Sequence, residues 1–450
     1  MTQAVVLGGG IAGLLAAAAV RPHFDTVAII ERDALPDRPA HRPGTPQDKH
    51  VHALLAAGQQ AIEALLPGFL NGLVVHDVPV TDFAATVAIR GPSGWGARLS
   101  SQLHAIGASR PLVEWSIRER LLRQPGVTIL PRHLGDGLLG DTQRIRAVKL
   151  RTSHGPPLPP LDADLVIDAT GRGSRADRWL TELGCSPPPV TRLDARVGYA
   201  TRTFRIPEQH RADWHGCYLQ PSPTSGGRGA TLMPIEGGRW LISLIGVGAQ
   251  RPTRDENDFL AFAQTLDSPV IADAIASAQP LTPVTVSTST GNQRHHVERL
   301  HHAPDNLVRI GDAVCCFNPV YAQGMSTAAL QAELLARCLN TRGTCRLAPR
   351  FHRELVSITR WPWTMATLAD RRWPLAQGTP TTRMHRAALR YVDLIQTAGT
   401  HNPRVQLAFL NVFNLLDTPL VLAAPCTLIR LLRHERALNR SDLRPPPQHR

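Results

Sequence analysis

Four short apolar runs punctuate the chain, and each stops at a small or acidic residue. Residues 4–7 (AVVL) lead into GGGIAG and an alanine-rich stretch, and TVAII at 26–30 stops at Glu31. The run inside ADLVIDATGRGSR (163–175) leads to Ala169, Thr170 and Gly171, and NLVRIGDA (306–313) closes on Gly311 and Asp312. Runs of this length without polar alternation predict strands buried on both faces, the habit of a parallel sheet covered by helices. Apolar spacing over residues 325–339 predicts a helix after the last of them. Between Gly198 and Gly248 the pattern changes to RVGYATRTFRI, GRGATLMPI and RWLISLIGV, β-type runs separated by Gly, Pro and Ser turns. They predict a second sheet, to which residues 78–100 are further candidates. Beyond Pro349 the pattern turns helical. Phe409, Val412, Phe413 and Leu416 recur at helical spacing, a stripe expected to pack on the core; a lid or a membrane-surface contact of the C-terminal helices is the alternative. The closing RPPPQHR is expected to be disordered.

Gly8, Gly10 and Gly13 form G-x-G-x-x-G between the first run and the alanine-rich helix. The first glycine permits the tight turn, the second lets a pyrophosphate approach the backbone, and the third lets helix pack on strand. Amides at the helix start attract the phosphates. Glu31, ending the second run, is placed to accept hydrogen bonds from an adenosine ribose. This order of strand, glycines, helix, strand and acid predicts a dinucleotide site. Small residues 169–171 suit a sheet edge where a cofactor lies close. Asp312, at another strand end, is placed to bind a ribityl hydroxyl. The loop of Phe317, Asn318, Pro319, Val320 and Tyr321 then leads to Gly324 and Met325, whose free amides suit the N1–C2=O edge of an isoalloxazine.

Composition changes this picture little. At 450 residues, with 43% hydrophobic and 19% charged residues, the chain reads as globular, with room for two or three domains. The net charge of +13 is almost all arginine, scattered along the chain, with Lys49 and Lys149 the only lysines. No aromatic-interleaved basic motif or zinc-finger spacing accompanies it, so no nucleic-acid partner is expected. The seven cysteines include no C-x-x-C, which predicts a reduced, cytoplasmic protein. The first residues enter a strand pattern at once, leaving no room for a signal peptide, and residues 407–432 are too interrupted to span a membrane. His50 and His52 alternate on a possible strand, but no third ligand stands at recognisable spacing, and no metal is expected. His295, His296, His301 and His302 read as a solvated loop.

With these blocks in view the chain resembles the FAD-dependent monooxygenases of the aromatic-hydroxylase type. The N-terminal glycine motif with Glu31 and Arg32, and the late GDA…NP…QGM, carry the resemblance over about residues 1–345. It implies FAD contacts from Gly8, Gly10, Gly13, Glu31, Arg32, Asp312, Pro319, Gly324 and Met325. The fold implied is α/β, a Rossmann-type FAD-binding domain (1–185 and 295–345) with an inserted β-sheet substrate domain (186–294) and a C-terminal helical region (346–440). Where that family usually has an Asp-Gly pair serving FAD and NADPH, this chain has Ala169-Thr170-Gly171. The electron donor is therefore NAD(P)H acting directly or through a separate flavin reductase.

Three stretches are similar to actinobacterial FAD epoxidases that act on polyketide and terpenoid alkenes: TPQDKHVHALLAAGQQAIEALLPGF (45–69), SRPLVEWSIRERLL (109–122) and FNPVYAQGM (317–325). In that comparison Arg110 contacts FAD. Read from the residues, Ser109 is a candidate N-cap, Pro111 suits the first turn, and Glu114 can pair with Arg118. The resemblance implies oxygen transfer from a C4a-hydroperoxyflavin to a small apolar substrate, with O2 as co-substrate, as in the epoxidations of antibiotic biosynthesis. Catalysis is centred on the flavin; no Ser–His–Asp set and no base for a phenol stand out. Aromatic hydroxylation is the first alternative, then flavin-dependent alkene reduction, halogenation, or a non-catalytic FAD scaffold. Halogenases carry W-x-W-x-I-P and a catalytic lysine. Here only WPW at 361–363 occurs, Lys149 falls in a β-like run, and Lys49 lies just before the HVH segment.

Overall fold

A computed structural model describes residues 1–153, 155–425 and 427. Its centre is a five-stranded parallel sheet in the order Leu307–Arg309, Leu165–Asp168, Gln3–Leu7, Thr26–Glu31, Val127–Pro131. Four of these strands are the four apolar runs. Gln3–Leu7 takes the middle position, so its side chains from Ala4 to Leu7 are buried on both faces. The helices Ile11–Val20 and Gly324–Arg342 pack together on one face of the sheet, and with Arg110–Leu122 they close the main apolar core. The opposite face is covered by a three-stranded antiparallel sheet, whose Val148 and Leu150 meet Val5, Leu7 and Val166.

The β-type runs form a seven-stranded sheet. Val197–Arg205, Arg239–Val247 and Arg228–Ile235 are adjacent and antiparallel, and Val87–Gly91 joins it through a parallel pairing with Gly216–Leu219. A four-stranded sheet ties Cys315–Cys316 to Asn292–His295, Val190–Asp194 and Gln377–Gly378. The helix Ala56–Leu65 crosses the start of Gly324–Arg342 so closely that a β-carbon on Gly58 would stand 2.6 Å from Ser326 Cα.

Three expectations need correction. His50 and His52 are not on a strand; they follow a single 3-10 turn, Pro46–Lys49. His301 and His302 are exposed, but His295 ends the strand Asn292–His295, where it is buried with Nδ1 2.9 Å from Asp177. A local reading of polar residues could not see that distant carboxylate. Leu416 lies beyond the helix Pro403–Phe413 and is exposed, because Leu415 turns the chain out at φ 60°. The RPPPQHR tail lies outside the described residues.

Candidate functional site

A cavity of about 800 Å³ opens over the C-terminal ends of the parallel strands, with the seven-stranded sheet as its far wall. Nine of the ten residues singled out as cofactor contacts line it: Gly8, Gly10, Glu31, Arg32, Arg110, Asp312, Pro319, Gly324 and Met325. Gly13 lies beneath the wall. A β-carbon there would stand 1.9 Å from Gly8 O, so its role is the helix–strand contact. Gly8 holds φ at 102° and passes so close to Ala169 that a β-carbon would meet its carbonyl oxygen at 2.6 Å. Gly10 caps the helix with no side chain, leaving the first amides facing the cavity free of a side-chain acceptor.

Glu31 is buried at its strand end. It accepts from Gly9 N at 2.7 Å and Asp33 N at 2.9 Å and stands 3.2 Å from Arg42 Nη1. Of roughly four acceptor positions on a carboxylate, about one is left for a ribose hydroxyl. Arg42, which the sequence reading did not single out, is the hub of this corner. Its Nη1 donates to Asp33 at 2.7 Å and its Nε to Glu114 at 2.7 Å. Burial lowers its pKa, but Glu114 and Glu31 more than offset that and hold it raised. The only signal that could have found it is three carboxylates, Glu31, Asp33 and Glu114, in want of a cation. Arg32 Nη2 donates instead to Gly44 O at 2.8 Å.

Ser109 caps the helix Arg110–Leu122, its hydroxyl accepting from Leu112 N at 3.4 Å, and Pro111 occupies the first turn. The expected Glu114–Arg118 pair does not form. Glu114 is taken by Arg42, with Arg110 Nη2 at 3.5 Å, and Arg118 donates to Pro36 O. A buried carboxylate goes to the cations that share its burial. Arg110 Nε is itself buried with no acceptor among the described residues.

Asp312 follows Leu307–Arg309 in a 3-10 turn, and the Gly324 backbone passes so near that a β-carbon there would stand 4.0 Å from its Oδ1. Its carboxylate takes only a weak contact from Cys316 Sγ at 3.5 Å. Burial raises its pKa, while the Cys316 contact, Arg110 and Arg172 pull the other way. Gln323, at the N-cap of Gly324–Arg342, carries a buried Oε1 with no donor among the described residues. An acceptor-rich carboxylate, an orphaned amide oxygen and an orphaned guanidinium nitrogen thus share one cavity with an uncapped helix start. That is the polar complement of a flavin dinucleotide, which brings hydroxyls, a ring N–H, ring carbonyls and phosphates.

The far wall is mostly apolar, with Val87, Ile89, Leu232 and Met233 from the sheet, and Phe83 and Phe413 from helices beside it. Phe413 stacks on Phe83 with centroids 6.1 Å apart. His50 and His52 also line the cavity. Burial lowers His50 to about 4 and His52 to about 3, the latter with help from Arg110, so both are neutral. His52 Nδ1 donates to His50 O at 2.9 Å, which leaves Nε2 as a bare acceptor. His50 Nδ1 meets Thr201 Oγ1 at 2.7 Å. No base for a phenol stands out in the sequence, and with a pKa of about 3 His52 is too weak to serve as one; it contributes a neutral acceptor, brought in by a loop whose path the local pattern does not define. Lys49 is exposed on the cavity rim, whereas Lys149 lies away from the cavity on Ile145–Thr152, the middle strand of the three-stranded sheet.

The buried imidazoles predict acid lability. His50, His52 and His352, the last lowered to about 3 by burial and then by Arg309, all have folded pKa values below the ordinary 6.5. The unfolded chain binds more protons below pH 6.5, so stability present above that pH is lost as pH falls. The loss is roughly 1.4 kcal/mol per pH unit for each imidazole. Asp370, raised to about 6, and Asp312, also raised by burial, act in the opposite sense below their folded pKa values but are two carboxyls against three imidazoles. The melting temperature of the apoprotein is expected to fall by on the order of 5 °C from pH 7.5 to pH 5. An unchanged melting temperature would contradict the neutral imidazoles.

No protein-family model matches the chain. Protein Rv3254 of Mycobacterium tuberculosis (strain ATCC 25618 / H37Rv) is 31% identical over 444 residues, covering 96% of this chain and 93% of that protein. The chain belongs to the family of Protein Rv3254. Kynurenine 3-monooxygenase of Salinispora arenicola (strain CNS-205) is 26% identical over 369 residues, 75% of this chain and 72% of that enzyme. Among solved structures, flavin-dependent brominase Bmp2 superposes with a TM-score of 0.64 at 14% identity, covering 92% of this chain and 94% of the brominase. The p-nitrophenol 4-monooxygenase PnpA from Pseudomonas putida DLL-E4 gives 0.62 at 16% identity, with 93% and 100% covered. The fold of this Rv3254-family chain is that of the flavin-dependent monooxygenases and halogenases: α/β, with a Rossmann-like parallel sheet and a helical C-terminal region. No helix among the described residues is long and apolar enough to cross a membrane, and no cluster of three His, Cys, Asp or Glu among them could hold a metal ion.

Proposed function

We propose that the chain is an FAD-dependent monooxygenase that transfers one oxygen atom of O2 to an apolar organic substrate, by epoxidation of a polyketide or terpenoid alkene. The observation that carries the reading is the row of unmet polar demands, Arg110 Nε, Asp312 and Gln323 Oε1, in the cavity that starts at the glycine-rich turn and ends on an apolar wall. When bound and reduced, FAD supplies the activation of O2 and the electrophilic oxygen.

The protein's share is binding, orientation and exclusion of water. Amides at the start of Ile11–Val20 receive the phosphates, and Glu31 receives a ribose hydroxyl. Asp312 accepts from the ribityl chain, and Arg110 supplies charge to an oxygen of the cofactor. The amides at Gly324 and Met325, at the positive end of their helix, favour negative charge on the flavin's pyrimidine edge. Phe83, Val87, Ile89, Leu232, Met233 and Phe413 hold a greasy substrate and keep water from the reacting oxygen. Electrons come from NAD(P)H, directly or by way of a separate flavin reductase, the replacement of the Asp-Gly pair by Ala169-Thr170-Gly171 being the reason to test both.

The test is to load the protein with FAD and reduce it with NADPH alone, then with an added flavin reductase. Oxygen and a model polyene or terpenoid alkene follow, with mass spectrometry of the products. A product heavier by one oxygen is expected. A protein that takes up no FAD overturns the cofactor assignment, a saturated alkene makes it a reductase, and halide incorporation directs attention to Lys49.

One observation favours a second reading, hydroxylation of a phenol. His52 Nε2 is an acceptor on the cavity wall, placed to hold a phenol O–H by a hydrogen bond, although a pKa of about 3 makes it too weak to take that proton itself. His52→Gln is expected to leave alkene epoxidation within about threefold of wild type. A loss of about tenfold with a phenolic substrate would move the assignment to hydroxylation.

A further inference from the structure

The helix Leu347–Asp370 ends on a carboxylate with no solvent exposure, Asp370. Two forces oppose an anion there. The last carbonyls of the helix carry partial negative charge, and burial strips the carboxylate of water. Burial accordingly pushes its pKa up to about 6, against the pull of its hydrogen bonds.

Those bonds explain why the charge is tolerated. Tyr321 Oη donates to Oδ1 at 2.7 Å, and Asn318 Nδ2 lies 3.0 Å from Oδ1 and 3.3 Å from Oδ2. Asn292 Nδ2 donates to Oδ2 at 2.5 Å. Two of these three donor residues belong to the loop that walls the cavity between Asp312 and Gly324. The third, Asn292, sits on the four-stranded sheet and also accepts from Asn318 N at 2.8 Å. Asn318 Oδ1 in turn accepts from Tyr199 Oη at 2.8 Å and Val320 N at 3.2 Å. The loop has little regular structure of its own. Pro319–Tyr321 is one 3-10 turn, and Ala322 leaves it with φ at 54°. Its shape is set from outside, by a side chain that follows it by about fifty residues in the chain.

We propose that Asp370 is a positioning residue for the cofactor site, the anchor that holds residues 318–323 in the form that aims Gln323 and the first amides of Gly324–Arg342 into the cavity. The inference rests on the FAD assignment above. All the groups around Asp370 donate, so only a carboxylate can accept from all of them. An asparagine there has one acceptor and turns an NH2 against the amide of Asn292 or Asn318. Tyr199, Tyr218 and Asp194 are the other titratable groups nearby; Tyr199 donates to Asn318 Oδ1, and Asp194 acts on Asp370 only by raising its pKa further.

The test compares Asp370→Asn, Tyr321→Phe and Asp393→Asn with wild type. Asp393 is a control from the same helical region, paired with Arg372 at 2.7 Å and absent from the cavity wall. FAD dissociation constants of the apoproteins, visible circular dichroism of bound flavin and apoprotein melting temperatures are measured together. Asp370→Asn is expected to weaken FAD at least about tenfold and to alter the flavin dichroism, which a merely structural residue would leave unchanged. Tyr321→Phe, which loses one bond, weakens it about threefold, and Asp393→Asn leaves both as in wild type. If Asp370→Asn binds FAD within about twofold of wild type with the same dichroism, the anchor is overturned. Should that variant not fold, Tyr321→Phe decides in the same way. A wild-type protein that binds no FAD overturns the cofactor assignment and the anchor with it, whereas binding that all variants share overturns only the anchor.

Discussion

Gly13→Ala is expected to destabilise the protein by about 3 kcal/mol or more and to abolish FAD uptake. The added β-carbon would stand 1.9 Å from Gly8 O and 3.0 Å from Gly8 C. Both are backbone atoms, so no side chain can swing aside. Gly8 cannot retreat either: its N–H donates to Ile30 O at 2.8 Å, and it already touches the Ala169 carbonyl. The helix must therefore lift from the strand, carrying the first amides away from the phosphate position. Gly10→Ala is the contrast, since its β-carbon would meet nothing nearer than Arg42 Nη2 at 3.8 Å. That variant is expected to fold with a near-normal melting temperature and to lose FAD affinity only, because the methyl group occupies the approach of the pyrophosphate. Urea unfolding and FAD titration of the pair check both statements; a Gly13→Ala protein that melts normally and retains flavin contradicts the packing described.

Arg42→Met is expected to cost roughly 3–5 kcal/mol, the range for removing one partner of a buried ion pair. Glu31 and Asp33 would then lose their cation, and Glu114 would keep only the longer contact to Arg110 Nη2 at 3.5 Å. Arg42→Lys is expected to recover less than about half of the loss, because one ammonium cannot reproduce the fork that donates through Nε to Glu114 and through Nη1 to Asp33. Urea unfolding midpoints of the two variants measure this. Flavin affinity should fall with Arg42→Met as Glu31 leaves the position that Arg42 and Gly9 N define for it. A methionine variant as stable as wild type would mean that the three carboxylates find other partners or water.

The legible and illegible parts of the site differ in a regular way. Gly8, Gly10, Glu31, Asp312 and Gly324 sit at strand ends or helix starts, and a strand that ends at residue n puts residue n+1 at the sheet's edge whatever the rest of the chain does. Ser109 and Pro111 were legible for the same local reason. Glu114 was legible as a helix carboxylate able to pair with Arg118 but not as Arg42's partner, because that cation arrives from a loop 72 residues away in the chain. His50 and His52 were visible as residues but not as neutral imidazoles on a cavity wall. Their state comes from burial under Thr201, Arg110 and the seven-stranded sheet.

What the sequence by itself determined is therefore the parallel sheet, its order of motifs and the glycine turn, since uninterrupted apolar runs and glycine geometry act within a few residues of where they are written. The tertiary structure decided the rest. It brought Arg42 to three carboxylates, gave His52 a bare nitrogen, closed Gly58 against Ser326, and set Asp370 beneath the loop at Asn318. Each of these depends on an electrostatic or steric match between distant segments. Such a match is satisfied only when folding removes water from both partners at once, and no local pattern records which partners those are.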